Sequence, residues 1–270
     1  MNGLELSRDH DFEPGFCLWL PEEELVDRRQ EFLLERAYAK LPREFMGIER
    51  ARLQPVGGAR HGVFRTAEYF ERLVGSPNGA PDRNAWLTLP EQALAEATNG
   101  AIFFDEFGEV TRIREQLATF PEDVRCKRLA GQLLLMAQAG PYNYTRCLAR
   151  GETGAAQLAA IAFAEAAAAA AFLLARRYRP YYKWRFRALR ELPRLSELAE
   201  PLEALISTGC RGPEGEEKAA RIEEIGRAVA AEVEAQGLAG AERDLERLAY
   251  AVNARVRDPE LRNRHILAGV

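Results

Sequence analysis

Two aspartates separated by one residue, Asp9 and Asp11, stand near the start of the sequence, in the run Ser-Arg-Asp-His-Asp-Phe. In an extended strand alternate side chains point to the same face, so these carboxylates would share one side with α-carbons roughly 6–7 Å apart. Two carboxylates at that spacing can bind one divalent cation such as Mg²⁺. The pair therefore suits phosphoryl or nucleotidyl transfer, in which Mg²⁺ bridges carboxylates and substrate phosphates. The alternative is a polar turn ahead of the apolar segment 16–20.

Four longer runs resemble a single bacterial family. They are SRDHDFEPGFCLWL, ATNGAIFFDEFGE, MAQAGPYNYTRCLARGE and RRYRPYYKWRFRALRELP, and the similarity spans roughly residues 4–208. The family is the domain of unknown function 4037 group, whose members resemble the nucleotidyltransferase superfamily that includes kanamycin and lincosamide nucleotidyltransferases. The resemblance implies a Mg²⁺-dependent transfer of a nucleoside monophosphate from a nucleoside triphosphate to a hydroxyl acceptor. It does not identify that acceptor, which is a small molecule or a protein side chain.

The sequence departs from that superfamily at the phosphate-binding turn. In those enzymes a Gly-Ser pair, on a strand and turn that precede the two aspartates, holds the triphosphate. Only eight residues precede Asp9, and Gly3 and Ser7 are not adjacent. We therefore expect this strand and turn to be missing, or the true start to lie upstream of Met1. The alternative function is a catalytically impaired nucleotide-binding or protein-interaction protein with a regulatory role.

A third carboxylate often serves such sites as a metal ligand or a general base. The candidates are Asp105, Glu106, Glu109 and Glu68. We predict Asp105, because it follows the apolar run 101–104, which indicates a buried strand. A turn residue explains Asp105 equally well.

Tyrosines and an arginine cluster after a predicted helix in the second half of the chain. Tyr142, Asn143 and Arg146 lie within five residues of one another, together with Tyr144. Aromatic rings and a guanidinium can hold a base or a phosphate, and we predict a nucleotide-binding role for these residues. They can equally form hydrogen bonds between helices.

Basic residues concentrate between positions 176 and 190, where there are seven of them and no acidic residue. In a chain of net charge −4 this concentration favours a partner that bears phosphates. We predict that Tyr181, Lys183 and Arg187 bind nucleotide, and the resemblance implies that Lys183 approaches the triphosphate. The alternative is a solvated basic face packed against an acidic first domain.

Apolar periodicity, prolines and glycines predict an α+β protein of two domains. Residues 1–118 would form a reduced, N-terminally incomplete nucleotidyltransferase-like mixed sheet with helices, and residues 119–270 an all-α helical bundle. Strands are expected at 16–20, 62–65 and 101–104, and helices at 22–40, 66–74, after Pro90, from Pro121 to Gly140, at 158–175 and after Pro180. The last helices would complete the bundle or support self-association into a homo-oligomer.

Composition excludes several classes of protein. Hydrophobic residues at 47% and charged residues at 29% are typical of a soluble globular chain, and the net charge of −4 argues against general nucleic-acid binding. The four cysteines are scattered without metal-ligand or disulfide spacing, and there is no signal peptide, which favours the cytoplasm. Segment 158–175 is long enough to span a membrane, but Glu165 at its centre favours a buried bundle helix in which that carboxylate has a partner.

Overall fold

The computed structural model describes residues 15–49 and 61–270. These residues form two units that alternate along the chain. The first unit contains residues 15–49, 61–80 and 100–116, and the second contains residues 81–99 and 117–270. Residues 81–99, which we placed in the first domain, therefore group with the second unit. Helices predominate and the strands form small sheets, so the fold class is α+β.

The first unit is built on two short parallel strands. Strand β1 (Cys17–Leu20) pairs with β4 (Gly62–Arg65), with Cys17 opposite Gly62. Between them lie helix α1 (Arg28–Ala39) and an antiparallel hairpin of β2 (Glu44–Phe45) and β3 (Ile48–Glu49). Parallel neighbours require such a crossover connection. The predicted strands at 16–20 and 62–65 are confirmed.

Helix α1 begins six residues later than predicted, because a capping box fixes its first turn. The Asp27 carboxylate accepts a hydrogen bond from the Gln30 backbone N–H at 2.7 Å, and Gln30 Oε1 accepts one from the Asp27 N–H at 2.8 Å. This reciprocal arrangement satisfies two backbone donors that an uncapped helix leaves without partners. The acidic residues upstream, which suggested an earlier start, lie in a turn.

A buried arginine at the end of β4 contacts both α1 and the segment after β1. Arg65 is only 6% exposed, and its Nη2 lies 2.8 Å from Glu31 Oε2 while its Nη1 donates to the Pro21 carbonyl. The hydrogen bond from Arg65 lowers the pKa of Glu31. Helix α2 (Thr66–Val74) follows directly, as predicted, and the Thr66 hydroxyl donates to the Leu20 carbonyl at 3.0 Å.

The prediction of a buried strand at residues 101–104 is wrong. These residues form a loop in which Phe103 is 91% exposed and Phe104 is 83% exposed. The loop leads into helix α5 (Glu109–Gln116), and Asp105 accepts hydrogen bonds from the first turn of that helix, which turns the chain. An apolar run of four residues is too short to distinguish a strand from other conformations by its pattern alone.

The second unit is helical. Its helices are α3 (Arg83–Thr88), α4 (Glu91–Thr98), α6 (Glu122–Ala137), α7 (Thr145–Ala149), α8 (Thr153–Leu174), α9 (Tyr182–Arg190), α10 (Ala199–Ser207), α11 (Gly212–Ala235), α12 (Leu245–Asn253) and α13 (Pro259–Asn263). Helix α6 packs against α8 and α12, and α8 also packs against α10 and α11. The predicted helix starts at Pro90, Pro121 and Pro180 are confirmed to within two residues.

Small side chains fill the centre of this unit. Alanines 166–171 of α8 are each at most 3% exposed, which lets neighbouring helices approach closely. By length and composition α8 could cross a membrane, but 72% of its most apolar window is buried. Glu165 forms an ion pair with Arg185, so the expected partner exists. The expectation that its carboxylate is buried is wrong, since the side chain is 47% exposed.

A π-helix connects α6 to α7. It spans Gln138–Tyr144 and contains Pro141, so α6 ends at Ala137 rather than at Gly140. Gly140 lies against two neighbouring side chains, and a Cβ at this position would be 2.5 Å from Phe163 Cδ2 and 2.6 Å from Ile222 Cγ2. π-Helical segments occur frequently at functional sites.

Candidate functional site

The predicted metal-binding aspartates, Asp9 and Asp11, lie outside the described residues. Asp11 precedes Cys17, the first residue of β1, by six positions. Within residues 15–49 and 61–270, no three His, Cys, Asp or Glu side chains lie close enough together to hold a metal ion. The proposed Mg²⁺ ligands therefore remain the two aspartates that the sequence indicates.

Asp105 lies at the entrance of α5 and is engaged with its first turn. Its Oδ2 accepts hydrogen bonds from the backbone N–H and the hydroxyl of Thr111, both at 2.7 Å. Burial alone would raise the pKa of Asp105, but the bonds from Thr111, with those from the Glu109 and Gly108 backbone, hold it below its ordinary value. This arrangement favours the turn interpretation of Asp105, which already uses one carboxylate oxygen inside the protein.

We expect Asp105→Ala to lower the free energy of unfolding by roughly 0.5–2 kcal/mol at pH 7, the usual effect of removing a helix cap. A carboxyl whose pKa is depressed by folding stabilises the protein above its unfolded pKa, and this contribution is lost as the pH falls through the folded pKa. The difference between the variant and the parent should therefore shrink below about pH 4. Urea unfolding at several pH values measures it, with Glu106→Ala, an exposed neighbour, as control. An unchanged stability in Asp105→Ala would contradict the capping role.

The tyrosine and arginine cluster divides between the surface and the core. Tyr142 is 57% exposed, Arg146 Nη1 donates to its hydroxyl at 2.7 Å, and the guanidinium lies 4.7 Å from its ring centroid. Asn143 is also exposed. Tyr144, in contrast, is fully buried, and its hydroxyl donates to the Gly215 carbonyl at 2.9 Å. Tyr144 therefore forms a hydrogen bond between helices, as the second interpretation expects, while Tyr142 and Arg146 face solvent together and their nucleotide-binding role stays a prediction.

Most of the basic run is neutralised within the second unit. Ion pairs join Arg176 to Glu122, Arg179 to Glu91, Arg185 to Glu165, Arg187 to Glu191 and Arg190 to Glu203. The Arg187 pair is long, at 3.7 Å, and both of its side chains are more than 60% exposed, so it contributes little. Lys183 has no ion pair among the described residues, and it stands on α9 just after Tyr181, which is 50% exposed. The three predicted residues of this run are thus solvent-accessible.

A buried ion cluster joins α4, α6 and the segment before α9. Glu91 is 3% exposed and lies 3.5 Å from the guanidinium nitrogens of both Arg128 and Arg179, and it also accepts the Arg179 backbone N–H at 2.9 Å. Arg128 stacks over Phe120, 4.8 Å from the ring centroid, and burial lowers its pKa while Glu91 opposes that shift. Tyr178, which packs edge-on against Phe120, donates to the Leu117 carbonyl.

All the residues of this ion cluster fall within one conserved-domain match. Residues 86–185 match the family model described as "Domain of unknown function (DUF4037)". This part of the chain is a DUF4037 domain. No curated protein and no solved structure matches the chain.

The DUF4037 domain includes most of the predicted site residues. Asp105, Tyr142, Asn143, Arg146, Tyr181 and Lys183 lie inside it, and Arg187 follows its end by two residues. The exposed members form two groups, one at the π-helix and one on α9. Both groups belong to the second structural unit, whereas Asp105 belongs to the first.

Several buried polar clusters were missed by sequence reasoning. They include the ion cluster of the DUF4037 domain, the cluster around Lys127, which is 0% exposed on α6, and the cluster around Lys218, which is 1% exposed on α11. Lys218 is in helical register with the buried residues Ile222 and Ile225. A lysine on the apolar face of a helix could have indicated this buried polar cluster from the sequence. A partner for Glu91 could not be found this way, because its arginines lie on other elements.

Proposed function

We propose that this chain is a Mg²⁺-dependent nucleotidyltransferase-like protein that transfers a nucleoside monophosphate from a nucleoside triphosphate to a hydroxyl acceptor. The observation that supports it best is the position of the Asp-x-Asp pair directly ahead of β1, a strand that pairs in parallel with β4 across the α1 crossover. A strand–helix–strand unit of this kind gives a rigid support for metal-binding side chains. The membership of residues 86–185 in the DUF4037 family agrees with the resemblance.

In this proposal Asp9 and Asp11 bind Mg²⁺ on the triphosphate. Phosphoryl and nucleotidyl transfer depend mainly on positioning and on neutralising the charge that develops at phosphorus. Lys183 supplies positive charge, as does Arg187, whose long and exposed pair with Glu191 neutralises it only weakly. Tyr142 with Arg146 offers an aromatic and cationic surface for a base or a phosphate.

A thermal-shift titration with ATP, GTP, CTP and UTP, each with and without Mg²⁺, tests the proposal. A ligand that binds only the native state stabilises it by about 2.7 kcal/mol when its concentration is 100 times Kd. We expect a Mg²⁺-dependent rise in melting temperature with at least one triphosphate, and its loss in Asp9→Asn/Asp11→Asn. The variant Glu22→Gln/Glu24→Gln removes two exposed carboxylates nearby and should retain the shift.

A shift that persists in the Asp9→Asn/Asp11→Asn variant would contradict the assignment of the metal ligands. If no triphosphate changes the melting temperature of the folded protein, the enzymatic proposal fails. Pyrophosphate release in the presence of the stabilising triphosphate then distinguishes transfer from binding alone.

The second candidate is a regulatory protein that acts by binding a partner. It is favoured by the loop before α5, where Phe103, Phe104 and Phe107 are 91%, 83% and 62% exposed. Exposed aromatic side chains on an ordered loop resemble the anchor residues of protein interfaces. The internal neutralisation of most of the basic run also leaves less charge for a triphosphate.

A further inference from the structure

A thiol and an amine lie side by side between α8, α11 and the loop that precedes α11. Lys218 Nζ is 3.5 Å from Cys210 Sγ, and it also donates to Gln157 Oε1 and to the Thr208 carbonyl, both at 2.8 Å. Cys210 Sγ lies 2.9 Å from Gln157 Oε1. Both reactive groups are buried, with Cys210 5% and Lys218 1% exposed.

Cys210 lies beside a space that small molecules can enter, in spite of its burial. Cys210 and Gln157 line a cavity of about 340 Å³, together with Thr153, Thr208, Arg211 and Glu214. A space of this size admits water and hydrogen peroxide, which are of similar dimensions. Peroxide attacks the thiolate form of a cysteine, and the Lys218 nitrogen, 3.5 Å from the Cys210 sulfur, is placed to meet the oxidised product.

Cys126 provides an internal comparison, because it is also buried but has a carboxylate instead of an amine beside its sulfur. It is 2% exposed, and its Sγ lies 3.8 Å from the Glu122 carboxylate. Burial, together with Glu122, raises the pKa of Cys126 to about 11. At neutral pH this cysteine is a thiol, and thiols react slowly with peroxide.

We propose that Cys210 and Lys218 form a redox modification site, in which hydrogen peroxide oxidises the thiol and the lysine amine captures the product as a sulfur–nitrogen cross-link. In the first step the Cys210 thiolate takes one oxygen from hydrogen peroxide, which gives a sulfenic acid and hydroxide. In the second step the Lys218 nitrogen, having released a proton, bonds to sulfur while the sulfur–oxygen bond breaks, and the hydroxyl leaves as water. The product is a sulfenamide, in which sulfur is oxidised and peroxide has been reduced to water.

The cross-link would change the polar contacts of α11. Nitrogen bound to sulfur no longer bears the charge that Gln157 and the Thr208 carbonyl now solvate. A reducing thiol would reverse the reaction, because it attacks the sulfur and releases the amine. The pair is therefore a reversible sensor of peroxide, and its chemistry does not depend on nucleotide binding.

Peptide mapping of the full chain after peroxide treatment tests the proposal. In a Cys17→Ser/Cys147→Ser background, only the matched buried cysteines Cys126 and Cys210 remain. Trypsin cuts after Arg211, so the peptides that contain Cys210 and Lys218 separate unless they are covalently joined. We expect a linked peptide pair that a reducing thiol releases, and oxidation of Cys210 at least about tenfold faster than that of Cys126.

Variants at position 218 separate the two steps. Lys218→Arg keeps the positive charge but supplies no comparable amine, so Cys210 should still be oxidised and be trapped as sulfenic acid by dimedone, without linked peptides. Lys218→Met removes the charge and should slow oxidation as well, and circular dichroism confirms that each variant is folded. The absence of linked peptides in the oxidised parent protein, or equal oxidation rates of Cys210 and Cys126, would overturn the proposal.

Discussion

Glu91→Gln should lower the free energy of unfolding of the helical unit by about 3–5 kcal/mol, the cost of removing one partner from a buried ion pair. Glutamine has nearly the same shape as glutamate, so the decrease in the free energy of unfolding reports the removal of the negative charge. The buried Arg128 and the partly exposed Arg179 would then lose their common carboxylate, which lies 3.5 Å from both in the native protein. Arg128 cannot escape by losing its proton, since a guanidinium stays charged in proteins.

The measurement is urea unfolding followed by the fluorescence of Trp86, which is 7% exposed and packs 5.9 Å from Phe120 beside the ion cluster. Replacing Trp19 and Trp184 by phenylalanine leaves this single reporter. Glu96→Gln, on the exposed side of the same helix, is the control and should change stability by less than about 0.5 kcal/mol. A loss in Glu91→Gln no larger than in this control would show that the cluster contributes no net stability.

Gly140→Ala should destabilise the same unit by about 1–3 kcal/mol through overpacking. The added methyl group would meet Phe163 and Ile222 at 2.5 and 2.6 Å, and both of these side chains are at most 2% exposed. Three elements meet here, namely the π-helix, α8 and α11, so none of them can shift independently. The wide turn of the π-helix is tolerated at this point because glycine occupies the contact.

Gly154→Ala is the matched control, since nothing lies within 4 Å of a Cβ at that exposed position in the first turn of α8. It should stabilise the protein by about 0.5–1 kcal/mol, because alanine has a smaller conformational entropy to lose. Thermal and urea unfolding of both variants provide the comparison. Equal stabilities of Gly140→Ala and Gly154→Ala would contradict the packing argument.

Local chemistry in the sequence located many element boundaries. Pro121 begins a helix because a proline at its start sacrifices no helical hydrogen bond. Gly100 follows the end of α4 by two residues and has a φ of 76°, a conformation that glycine adopts at little cost. These features act within one turn of the chain, so they can be recognised without knowing the fold. The run 101–104 failed because its four residues lacked such a local determinant.

The candidate site was less predictable, because its properties depend on long-range partners. Residue types correctly indicated a basic, aromatic surface at Lys183 and Tyr181. They could not reveal that Arg185 pairs with Glu165 or that Arg179 pairs with Glu91, since each pairing requires helices to pack first. The same limit hid the Cys210 and Lys218 contact, which depends on Gln157 from another helix.

The alternation of the two units along the chain has a consequence for synthesis on the ribosome. Residues 81–99 emerge before residues 117–270, with which they pack, and the first unit receives its last segment between them. Glu91 precedes Arg179 by 88 residues. Because the ribosome adds roughly 5–20 residues per second, Arg179 is synthesised on the order of 4–18 s after Glu91. Neither unit can be completed as an uninterrupted stretch of polypeptide, so α3 and α4 emerge from the ribosome without the helices that later cover them.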